Sequence, residues 1–117
     1  MDATAQAALV RGCELSPEEL VEQAIGHIER LNPELNAVVI PLFDKARAEA
    51  RSAPDGPFRG VPYLLKDLAL VSQGDPTCQG IAGVNAAGYR ADHDSYFVQL
   101  PRGRSSAGGR RTAGTCC

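Results

Sequence analysis

Between Ser16 and Asn32 the chain carries a full set of helix instructions, and whatever else it builds must pack against the element they specify. Ser16 is a good N-cap, Pro17 suits the first helical position, and Glu19 stands three residues after the cap, as a capping box requires. Leu20, Val21, Ala24, Ile25, Ile28 and Leu31 fall on one side of a 3.6-residue wheel, and Glu18, Glu22, Gln23, Gly26, Glu29 and Arg30 fall mostly on the other. Asn32-Pro33 is expected to stop the helix, because proline disfavours helical backbone in the residue before it. Such a stripe is first of all a packing face, with His27 a boundary residue at its edge. A length of 117 residues allows one modest domain to cover it.

The remaining elements are shorter. Residues 3–11 are rich in good helix formers, and Gly12 ends them. Ala37–Ile40 reads as a short apolar strand closed by Pro41, and residues 42–52 as a helix rich in Ala, Arg and Glu. Ala53 to Pro57 is turn chemistry. Val61–Lys66 reads as a second strand, which Leu68–Val71 continues or follows with another. Residues 72–90 hold four glycines and few large apolar groups, which predicts a long loop with at most a brief helix. Asp94-Ser95 is expected to start a helix through Leu100, with Asp94 capping it, and Pro101 breaks that pattern.

Charge excludes some functions. The net charge of −2 is uneven: up to residue 100 there are eight basic and fourteen acidic residues, whereas the last seventeen residues hold four arginines and no acid. An acidic body of this kind is not expected to bind nucleic acid. The basic tail has neither interleaved aromatics nor helical periodicity, so residues 101–117 read as disordered. Cys13, Cys78, Cys116 and Cys117 lack metal-ligand spacing, and no cofactor motif is present. No leader pattern opens the chain and no run of about 18 apolar residues crosses a membrane, so a cytoplasmic location is expected.

The chemistry concentrates at Lys66. Gly60-Val61-Pro62 leads into an apolar run that ends abruptly at Lys66-Asp67. A lysine closing a buried strand must be paired or shifted in pKa, and a lysine with a lowered pKa can serve as a base. On spacing alone an ordinary strand-end lysine, paired with Asp67 or exposed, is the favoured reading. Asp67 either orients Lys66 or caps the following turn. Cys78 has no basic neighbour to activate it and reads as a quiet thiol. His93 lies between Asp92 and Asp94, but three adjacent side chains cannot all face one metal ion.

Gly60-Val61-Pro62, three residues, then Lys66-Asp67, with Gly56-Pro57 before them, resembles the lysine motif of the amidase signature family. Asp75-Pro76-Thr77-Cys78-Gln79-Gly80, Ala91-Asp92-His93-Asp94-Ser95, Glu14 to Leu20 and Leu31 to Val38 resemble the pieces around it, from about residue 3 to residue 99. The resemblance implies an α/β fold, a mixed sheet flanked by helices, of which this chain would hold the N-terminal helices and first strands. It implies hydrolysis of carboxamide C–N bonds by a serine, a second serine and a lysine. Lys66 would be that lysine, a small-molecule amide the substrate, and Thr77 and Cys78 part of a loop nearing the substrate. No cofactor, metal, nucleic acid or membrane is implied. Both serines would fall well beyond this chain, leaving it inactive alone. Ser105-Ser106-Ala107-Gly108-Gly109 mimics a serine stretch but comes too early and reads as a flexible linker. A non-enzymatic fragment or pseudo-enzyme stays open, as does a relative of the transfer-RNA amidotransferase A subunit, although Tyr63-Leu64-Leu65 before the lysine is closer to stand-alone amidases.

The family would continue the last helix through an Arg-Ala-Ala-Gly-like stretch. Pro101-Arg102-Gly103-Arg104 can be encoded by bases that, read one position later, give that sequence. A frameshift near residue 100 is therefore expected, dividing the chain into residues 1–100 of an amidase domain and an out-of-frame tail, residues 101–117.

Overall fold

In the computed structural model, residues 1–53 and 55–99 are described, so the expected tail of residues 101–117, with its serine-glycine stretch, lies outside the described residues. Among the described residues five helices follow in order: α1 (Ala3–Arg11), α2 (Pro17–Leu35), α3 (Phe43–Arg51), α4 (Ala82–Ala86) and α5 (Tyr96–Gln99). Asp2 caps α1, its carboxylate accepting from Ala5 N at 2.8 Å. Ser16 and Glu19 form the reciprocal capping box of α2: Glu19 N donates to Ser16 Oγ, and Ser16 N donates to Glu19 Oε2.

α2 does not stop at Asn32. It runs through Pro33 to Leu35. Proline lacks an N–H, but in the last turn this removes a single hydrogen bond, which the turn survives. The helix ends instead at Asn36, which takes the left-handed conformation (φ 48°) and donates to Asn32 O. Asn32 then holds the departing chain from both sides: its Nδ2 donates to Val38 O at 2.9 Å, and Val38 N donates to its Oδ1 at 2.8 Å.

α2 and α3 pack together and make the core. Val21 and Ile25 meet Ala46 and Ala50, with Ile28 and Phe43 alongside. The two alanines let the helix axes approach closely, and Arg47 on α3 closes the exposed edge with two bonds to Glu22. Leu20 of the stripe is buried too, while Leu31 at its far end is half exposed.

The segment after the turn lies across the start of α2. Gly60 is buried with φ +71°, and a Cβ there would stand 2.4 Å from Pro17 Cβ. Only glycine allows both that backbone and that approach. Arg11 supports the same crossing by donating to Pro57 O at 2.8 Å.

The mixed sheet expected from the sequence is not formed among the described residues. Ala37–Ile40 and Val61–Lys66 are irregular rather than strands, with a single bridge position at Tyr63. Pro76 and Arg90 form one isolated antiparallel bridge. A strand needs a neighbour to bond to, and an apolar run cannot supply one from its own sequence. Leu68–Val71 does not extend a strand either, because residues 67–69 turn and Ala69 is left-handed (φ 62°). The described residues form a slab 46 × 42 × 20 Å, about two helix diameters thick.

Residues 71–95 are tied to each other by backbone bonds. Gly74 N donates to Ala91 O, Ala91 N to Asp75 O, and Ser95 N to Val71 O. The Asp94 carboxylate also reaches back along the chain: Oδ1 accepts from Gln73 N, 21 residues earlier, at 2.7 Å. At the start of α5 the carbonyl of Ser95 accepts from Val98 N and Gln99 N.

Candidate active site

Lys66 stands at an open cleft of about 180 Å³ between the 37–42 segment, the 64–67 segment and the loop 70–77. One wall is apolar, with Val38, Ile40, Leu65 and Leu70. The other carries Asp67, Ser72, Asp75 and Thr77. The sequence placed Lys66 at the end of a buried strand, and the structure corrects this: Lys66 is exposed, and no carboxylate among the described residues pairs with it.

Asp67 neither pairs with Lys66 nor caps the turn. Its carboxylate reaches forward ten residues and organises the next loop. Thr77 Oγ1 donates to Oδ1 at 2.6 Å, Cys78 N to both oxygens at 3.2 Å, Gln79 N to Oδ2 at 3.0 Å, and the Cys78 thiol to Oδ2 at 2.8 Å. Burial pushes the Asp67 carboxyl upward, but the Cys78 thiol, the Thr77 hydroxyl and the two backbone N–H groups outweigh it, and the net direction is down. The partner moves the other way: the bond to Asp67 pushes the Cys78 thiol up. Cys78 is therefore held as a protonated donor, in line with the quiet thiol read from the sequence. Gln79 (φ 48°) and Gly80 (φ 74°) are both left-handed, a geometry that turns successive N–H groups toward one anion.

A second anchor lies deeper in the same cleft. Asp75 is buried, and Lys45 of α3 donates to both its oxygens at 2.5 Å. Ser72 Oγ also donates to it. The core helix pair is thus wired to the cleft wall through one ion pair. Both hydroxyls that line the cleft, Ser72 and Thr77, donate to carboxylates, which makes them scaffold rather than nucleophile.

Lys66, Asp67 and Thr77, singled out from sequence, are brought to one cleft, and Cys78 joins them through Asp67. His27 is not: it lines a separate depression beside Pro62, Tyr63 and Leu64. His93 lies exposed at the surface against Asp92, whose carboxyl it lowers. No group of three metal-ligating side chains occurs among the described residues, and none of their helices is long and apolar enough to cross a membrane. Sequence reasoning missed Lys45 and Ser72, and took Asp75 only as part of a motif. The available signal was slight: Lys45 is the one lysine of α3, and the acid it meets lies thirty residues on.

A family model described as Amidase matches residues 19–105, most of the chain and all of the cleft. The chain belongs to the amidase signature family. Over 101 residues it is 61% identical to the 6-aminohexanoate-cyclic-dimer hydrolases of Pseudomonas sp. (strain NK87) and Paenarthrobacter ureafaciens, covering 86% of this chain and 20% of theirs. An acylamidase of Rhodococcus erythropolis is 35% identical over 91 residues, 69% of this chain and 18% of its own. Among solved structures, 6-aminohexanoate cyclic dimer hydrolase complexed with substrate superposes with a TM-score of 0.80 at 62% identity, over 85% of this chain and 20% of that one. A bacterial aryl acylamidase of the amidase signature family gives 0.74 at 35% identity, over 86% and 22%. The chain spans about one-fifth of the length of the curated relatives it matches.

Proposed function

We propose that this amidase-family chain contributes the catalytic lysine, Lys66, to a serine-dependent hydrolysis of carboxamides. The observation that carries the reading is the placement of Lys66 on a cleft whose polar wall is fixed by two carboxylate anchors, in a chain 61% identical to a cyclic amide hydrolase. A serine oxygen attacks the amide carbonyl. Its proton passes through a second serine to the neutral Lys66 amine, then on to the departing nitrogen, and water releases the acyl group. Neither serine is among the residues that form the cleft here. The base role requires a neutral amine, which removal from water favours, so the exposed Lys66 of this slab becomes a base only once further chain covers it. The 117 residues alone are therefore inactive, and the protein that carries this segment acts in solution on small amides, without a cofactor.

The test is a chimera in which this chain's matching residues replace the corresponding fifth of the Paenarthrobacter ureafaciens hydrolase. Turnover of 6-aminohexanoate cyclic dimer and of simple aryl amides is then measured. Lys66→Ala and Lys66→Arg should both lose at least a hundredfold in kcat while the chimera stays folded, since arginine cannot give up its proton at working pH. Near-unchanged turnover in a folded Lys66→Arg chimera would show that Lys66 is only a surface charge.

A further inference from the structure

Leu64, Leu65 and Lys66 lie in neither helix nor ladder, and residues 67–69 turn away directly after the lysine. The next side chain ties this stretch to the cleft wall. Each Asp67 oxygen accepts from more than one donor: Oδ1 from Thr77 Oγ1 and Cys78 N, Oδ2 from Cys78 N, the Cys78 thiol and Gln79 N. A carboxylate has about four lone-pair sites, so these bonds fill it and hold its torsions. The loop it grips is itself anchored, because Lys45 on α3 and Ser72 both donate to Asp75, just before Thr77. A line of bonds thus runs from the core helices through Asp75 and the loop to Asp67, and ends one peptide from Lys66. That peptide is planar, so an Asp67 held in place restrains the backbone of Lys66 as well. An aspartate whose lone pairs are taken also has nothing left for an ion pair with the lysine beside it.

We infer that Asp67 is a positioning residue for the amide hydrolysis: its clamp on Thr77, Cys78 and Gln79 sets where the Lys66 amine stands and keeps that amine out of an ion pair with its neighbour. The inference rests on the reading of Lys66 as the base, and it gives Asp67 no contact with substrate. Lys66 carries its nitrogen on a flexible four-carbon stem, so a small swing at the root is enlarged at the amine. Catalytic groups need holding to within about 0.5 Å and about 10–20°. A misplacement of about 1 Å costs about a hundredfold in rate.

The test uses the chimera described above, with kcat and KM measured on 6-aminohexanoate cyclic dimer for Asp67→Ala, Asp67→Asn and Lys66→Ala. Asp67→Ala releases the clamp and should lower kcat at least about thirtyfold while KM stays within about threefold. Asp67→Asn keeps weaker, uncharged bonds to Cys78 and Gln79, and its kcat should fall between those of Asp67→Ala and the wild type. Formate separates positioning from loop support. Added to Asp67→Ala, it can refill the donors of residues 77–79 but has no link to Lys66, so kcat should stay low. Restoration of kcat by formate would show that Asp67 only supports the loop, and overturns the inference. A wild-type kcat in Asp67→Ala, or a loss confined to KM, overturns it too when Lys66→Ala is inactive, and leaves the function proposed above standing. Full turnover of Lys66→Ala sinks that function and this inference together. If the Asp67→Ala chimera does not fold, Asp67→Asn decides: a lowered kcat at unchanged KM supports the positioning role, and an unchanged kcat overturns it.

Discussion

Asp67→Asn is the most revealing single substitution, because it removes one charge and almost no volume. The carboxylate accepts from three residues in a row: a hydroxyl, two backbone N–H groups and a thiol. An asparagine offers one acceptor oxygen in place of two and adds an NH₂ that faces donors. The best arrangement keeps the oxygen toward Cys78 and Gln79 and turns the amide nitrogen toward Thr77, whose hydroxyl can rotate to accept. The bonds to Cys78 N and Gln79 N then survive without charge. Charged acceptors contribute about 1.5–3 kcal/mol per bond and neutral ones about 0.5–1.5, so the loop should lose about 2 kcal/mol, which is roughly thirtyfold in a local opening equilibrium. Amide hydrogen exchange at Cys78 and Gln79, read by NMR on the 117-residue chain, measures that equilibrium directly. The sign of the pH effect follows from the lowered carboxyl. Stabilisation is complete above the ordinary aspartate value of 3.8 and is lost as pH falls through the lower folded-state value. The gap between wild type and variant should therefore be constant near neutrality and close only in acid below that value. Exchange rates at these two amides that are the same in both proteins at pH 7 would refute the role given to Asp67.

Gly60→Ala should destabilise by about 3 kcal/mol, from the left-handed backbone plus the clash with Pro17, and should lower the melting temperature of the chimera without altering Lys66 itself. Lys45→Met should cost about 2 kcal/mol by leaving the Asp75 carboxylate without its cation, and adding Asp75→Asn should recover part of that loss in chemical denaturation, as expected for a coupled pair. Cys78, in a background with Cys13, Cys116 and Cys117 changed to serine, should be alkylated by iodoacetamide only at a pH above that needed for a free thiol. Asp67→Asn should move that profile down; an unchanged profile would contradict the thiol-to-carboxylate bond.

Helices were legible because their signals are local. Gly12 after α1, the Ser16–Glu19 box and the 42–52 boundaries fall within a residue of what is observed, since caps and periodicity act within a few positions. The brief helix in the glycine-rich loop is α4. The end of α2 was missed because a proline in a last turn weakens a helix without ending it. The expected strands are not formed among the described residues for a different reason: a strand is a relation between two segments, and residues 61–66 specify only one of them. At the cleft, the residues of the lysine motif could be named in advance, but their roles could not. Asp67 looked like a partner for its neighbour, whereas its donors sit ten to twelve residues on, beyond the reach of any local pattern. Lys45 and Asp75 are thirty residues apart, and no spacing rule links them.

Apart from the thirty-residue reach of Lys45 to Asp75, the bonds in and behind the cleft's polar wall are short in sequence. Asp67 reaches residues 77–79, Gln73 reaches Asp94, and Gly74 reaches Ala91. Closing loops of ten to about twenty residues costs little entropy and is fast. A polypeptide leaving the ribosome at about 5–20 residues per second delivers all of these partners within seconds of one another. The polar wall beside Lys66 can therefore set on the nascent chain, as a template already in place when later-synthesised segments arrive.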